Sequence, residues 1–97
     1  MLFAKPLRDG IRRGRIKCTV RVWISPRVKV GGRYTMEGGS VVVDSIERIR
    51  RKDITHDLAR ESGFENVGAL LKIAKHGRGQ NIYLIRFHYL APGAWYH

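Results

Sequence analysis

The chain has 97 residues, 43% hydrophobic and 28% charged, and its 19 Lys and Arg against 8 Asp and Glu give a net charge of +11. This length accommodates one domain with one modest core, and the composition argues against disorder. A single cysteine, Cys18, excludes an internal disulfide, and no apolar run reaches the roughly 18 residues that a membrane span needs.

The charge is unevenly distributed. Residues 1–33 hold ten basic residues against one acid, a net +9, whereas residues 34–97 carry only +2. Charge concentrated in one segment predicts a basic face and a polyanionic partner. The start, "MLFAKPLRDG", meets Lys5 before any signal-type apolar core develops, so a cytoplasmic location is expected.

In chain order, Pro6 and Gly14 bracket a short helix in "PLRDGIRRG", with Leu7 and Ile11 four apart on one face and Gly10 weakening it. "KCTVRVWI" alternates strictly. It predicts a strand with Cys18, Val20, Val22 and Ile24 on a core face and Lys17, Thr19, Arg21 and Trp23 on the other. Pro26 ends that run, a "GGR" turn at 31–33 leads to a second strand, "RYTME", and "SVVVDSIERI" reads as a third.

After the basic cluster "RIRRK" the period changes to helical. Thr55 is a candidate N-cap for "HDLARES", closed by Gly63, and Asn66 for "VGALLKIAKH", closed by Gly77. The chain then returns to a strand in "NIYLIRFHYL", apolar on both faces near its start and therefore central in a sheet. Four or five strands with three short helices predict an α+β domain on a strongly curved antiparallel or mixed, partly closed sheet.

Few constellations suit chemistry. His56, His76, His88 and His97 have no Cys or His partner at ligand spacing, so neither a metal nor another cofactor is expected. "KHGRGQN" follows a helix instead of opening one, and so lacks the geometry that aims backbone N–H groups at phosphate. A helix-turn-helix across "LARESGFENVGALLKIAK" is disfavoured, because the first turn of its second helix offers no Arg or Lys to a groove.

The face carrying Lys17, Thr19, Arg21 and Trp23 combines cation, hydroxyl, guanidinium and indole, which suits single-stranded RNA or a splayed base. Arg12, Arg13, Arg15, Arg27 and Lys29 surround it in sequence and would attract phosphates.

With "GRIKCTVR", "VKVGGRYTM" and "GFENVGALLKIAKHGRGQNIYLIRF", the chain resembles the ASCH domain family over nearly its whole length. That resemblance implies a PUA-like β-barrel and an RNA-associated role through a basic cleft. Some small bacterial members are amidohydrolases that deacylate N4-acetylcytidine nucleosides with a lysine, a threonine and a later glutamate. Gly14 and Arg21 fall at the family's motif positions and Thr19 at that of the catalytic threonine. Ile16 stands where the lysine is expected, with Lys17 displaced by one, and Glu61 is the candidate glutamate. The resemblance therefore implies an RNA- or nucleotide-binding module, with amidohydrolase activity through Lys17, Thr19 and Glu61 as the alternative.

Overall fold

The computed structural model of the protein describes residues 1–74 and 79–93. Its elements are α1 (Lys5–Arg12), β1 (Cys18–Trp23), β2 (Arg33–Met36), β3 (Gly39–Ile49), a 3₁₀ turn (Arg51–Asp53), α2 (His56–Glu61), α3 (Val67–Ala74) and β4 (Asn81–Leu90). His76, Gly77 and the tail residues Trp95, Tyr96 and His97 lie outside the described residues.

The strands form one antiparallel sheet in the order β1-β4-β3-β2, curled into a half-barrel. β4 is central, as its two apolar faces require, pairing Leu84 with Val20 on one side and Phe87 with Val43 on the other. Among the described residues, no helix is long and apolar enough to cross a membrane.

Each face of the sheet has its own cover. Cys18, Val20, Val22 and Leu84 pack against Ile54, Leu58, Ala59, Leu70 and Ala74, so α2 and α3 lie on that face. The opposite face packs Val41 and Phe87 against Phe3 and Ile11, and groups Trp23, Val28, Val43, Tyr83 and Ile85 beside them. The N-terminal segment and α1 therefore form a second layer.

Local chemistry sets the breaks. Glu37 (φ 50°) and Gly38 (φ 82°) give the β2–β3 hairpin a two-residue turn with both central residues left-handed, the type whose twist matches the strands. In β3 the register shifts between Val43 and Ser45, leaving Asp44 as a bulge. The extra residue keeps Ile46 on the side of Val43 and sends Ile49 to the α2–α3 side. Thr55 accepts from the Leu58 N–H (3.1 Å) and Asn66 from the Ala69 N–H (2.8 Å), capping α2 and α3 as expected.

One sequence expectation changes. Ile24, assigned to the core face by alternation, lies beyond the end of β1 and is 68% exposed. After β3, Arg51–Asp53 make a 3₁₀ turn in which the Asp53 carboxylate accepts from the Arg50 N–H (2.8 Å).

Candidate functional site

The alternating face of β1 turns inward. Thr19 is 8% exposed, Arg21 8% and Trp23 3%; the segment carrying Leu2 and Phe3 lies over Arg21, and Trp23 packs with Val28, Val43, Tyr83 and Ile85. Arg21 sits opposite Tyr83 in the centre of the strand. Its Nε donates to Thr19 Oγ1 (3.1 Å), its Nη2 donates to the Leu2 carbonyl (2.5 Å), and its guanidinium carbon stands 5.0 Å from the centre of the Phe3 ring.

Among the described residues, no carboxylate lies within ion-pair distance of Arg21. Burial depresses its pKa below the ordinary arginine value, yet a guanidinium stays protonated at neutral pH. Holding such a charge away from water costs several kcal/mol, which two hydrogen bonds and one aromatic face offset only in part.

Two cavities meet at this group. One, of about 220 Å³, is lined by Met1, Leu2, Arg21, Trp23, Arg27 and Val28. Arg27 stands over the Trp23 ring at 6.0 Å, so two guanidiniums and an indole border the same space. Trp23 is packed against Tyr83, with ring centres 6.2 Å apart, and meets the cavity as part of its wall. The other, of about 330 Å³, carries Thr19 and Arg21 together with the apolar side chains of Leu2, Leu7, Phe64 and Ile73.

Arg12, Arg13, Arg15, Lys17 and Glu61 lie at the other end of β1. Asp9 pairs with Arg12 (3.0 Å) and Arg13 (3.1 Å) and lies 4.0 Å from Arg15, so one exposed carboxylate faces three exposed guanidiniums. Arg15, Lys17 and Glu61 line a cleft of about 350 Å³ with Cys18 and Arg86. Lys17 precedes the first residue of β1, although its carbonyl still accepts from the Phe87 N–H (2.9 Å).

Lys17 and Glu61 thus share one cleft, while Thr19 borders a different cavity. Among the described residues, no hydrogen bond joins Thr19 to either of them, and its hydroxyl accepts from Arg21. Lys29 is exposed in the loop after β1, where its N–H donates to the Tyr34 hydroxyl (3.0 Å).

Sequence reasoning missed Leu2 and Phe3, whose contact with Arg21 is non-local and leaves no periodic signal. It also missed Arg86, which lines the Lys17 cleft and a larger one of about 460 Å³ with Glu47, Asp53, Asp57 and Glu61. One signal was present: Arg86 follows Ile82 and Leu84 on one face of β4 and ends their apolar run. Cys18 Sγ lies 3.5 Å from Ser62 Oγ, and burial raises its pKa, outweighing that hydrogen bond.

Among the described residues, no group of three His, Cys, Asp or Glu side chains could hold a metal ion. Comparison of the chain with family models, curated proteins and solved structures finds no match.

Proposed function

We propose that the protein is a small RNA- or nucleotide-binding module of the ASCH type, taking an anionic ligand group at Arg21. The observation that carries this reading is the buried Arg21 guanidinium, which borders two cavities and has no carboxylate partner among the described residues. A guanidinium presents five N–H donors in a planar fork, and only two have described acceptors. A phosphate oxygen pair matches the rest.

The surroundings suit a nucleotide better than a bare anion. Arg27 and Trp23 border the smaller cavity, offering a flat cation and an indole edge to a base. Arg12, Arg13, Arg15 and Lys17 at the other end of β1 supply long-range attraction to a phosphate backbone. The resemblance to ASCH domains points the same way, and a PUA-like barrel, with the curled sheet as its wall, belongs to the same reading.

A calorimetric titration with a short oligouridylate tests this. Binding at low salt that weakens steeply as salt rises is expected, because phosphate contacts release counterions. Absence of binding at low salt, or affinity indifferent to salt, contradicts it.

A further inference from the structure

Among the described residues, only Leu2 and Arg21 line both cavities, and the hydrogen bond from Arg21 Nη2 to the Leu2 carbonyl joins them. That bond stands as a bar between the two spaces. Phe3 anchors it: the side chain is 5% exposed, and its ring lies 5.3 Å from that of Phe87 and 5.0 Å from the Arg21 guanidinium carbon. A polynucleotide therefore has no path past Arg21 from one cavity into the other while the bar holds. Its chain must end in a cavity or turn back out of it.

The smaller cavity, of about 220 Å³, specifies the group that ends there. Its described lining holds two guanidiniums, Arg21 and Arg27, and no carboxylate. Arg21 is 8% exposed, and two of its five N–H donors have described acceptors, which leaves three for a ligand. Arg27 stands over the Trp23 ring at 6.0 Å, and a cation held on an aromatic face keeps its N–H donors for other partners. An internal phosphodiester would bring one negative charge and two unesterified oxygens to this place. A phosphate monoester brings nearly two charges and three such oxygens, the better match to two guanidinium forks.

We infer that the smaller cavity receives the terminal phosphate monoester of a nucleotide, held between Arg21 and Arg27. The inference rests on the assignment of the ligand's anionic group to Arg21 above, and narrows it from any phosphate to that of a chain end or a free mononucleotide.

The test titrates the full chain into internally labelled oligouridylates that end in hydroxyls, in a 5′-phosphate or in a 3′-phosphate, beside a longer hydroxyl-ended oligomer of matching total charge. One phosphorylated oligomer is expected to bind at least about tenfold more tightly than the charge-matched control. That preference should fade as pH falls below about 6, where the monoester takes up its second proton and neither guanidinium titrates. Arg27→Gln, at an exposed position where the melting temperature should not change, is expected to shrink the preference to within about threefold. Uridine monophosphate that displaces the phosphorylated oligomer at equal concentration makes a free nucleotide the source of the monoester, and failure to displace it makes an RNA end the source; each supports the inference. Equal binding of the phosphorylated and charge-matched oligomers, with steep salt dependence, overturns the inference and leaves the RNA-binding reading in place. A preference that persists at lower pH, or is undiminished in Arg27→Gln, overturns it as well. Absence of binding by every oligomer at low salt overturns both.

Discussion

Arg21 Nε donates to Thr19 Oγ1 across 3.1 Å, joining two alternate residues of β1 inside the protein instead of on its surface. The hydroxyl orients the guanidinium, and Leu2 and Phe3 complete its surroundings without supplying a negative charge.

Arg21→Met separates a structural purpose for this arginine from a ligand-binding one. A thioether chain of similar length removes the desolvation penalty while leaving Thr19 and the Leu2 carbonyl to find water. The expected stability in urea melts is within about 1 kcal/mol of the parent, in either direction. A loss of more than about 3 kcal/mol would identify Arg21 as a structural post.

The exposed cations at the start of β1 should act through long-range charge. Replacing Arg15 and Lys17 together by glutamine is expected to reduce the salt dependence of oligouridylate binding. The slope of log affinity against log salt should fall by about 0.7 for each phosphate that the variant no longer neutralises. Affinity measured from 50 to 300 mM salt reads this directly.

The core assignments differ sharply in expected cost. Leu70 is fully buried between α3 and β1, and Leu70→Ala should lose about 2–5 kcal/mol by transfer and cavity formation. Ile24→Ala, beyond the end of β1, should change stability by less than about 0.5 kcal/mol. Paired urea denaturation curves check both.

Cys18 should give the stability an alkaline limit. Burial raises its pKa above the ordinary 9.0, so the folded chain keeps the thiol proton longer than the unfolded chain does. That contribution is fully present below pH 9.0 and is lost as pH rises through the higher folded value. Cys18→Ala should flatten the decline in melting temperature between pH 9 and pH 11. A thiol reagent should label the native chain slowly and the unfolded chain at once.

Much of the fold was legible in the residues. Alternation located β1 and β4, the apolar start on both faces of β4 placed it centrally, and Thr55 and Asn66 announced two helices through their capping oxygens. What alternation lacks is the identity of the layer covering a face. It placed Lys17 and Thr19 together, but β1 begins at Cys18, and the Lys17 side chain lies in a cleft with Arg86 while Thr19 lies beneath the N-terminal segment. The Asp44 bulge escaped for a similar reason, since the one-residue slip that keeps Ile46 on the face of Val43 is fixed by pairing with β4.

The central claim is that Arg21 receives the anionic group of the ligand. Fluorescence anisotropy of a labelled oligouridylate, titrated with the parent chain and with Arg21→Met at one low salt concentration, tests it most directly. Affinity at least about tenfold weaker for a folded Arg21→Met chain is the expected result, since one charge-assisted contact is worth about 1.5–3 kcal/mol. Equal affinity of the two chains would contradict it and place any RNA binding on the exposed arginines alone.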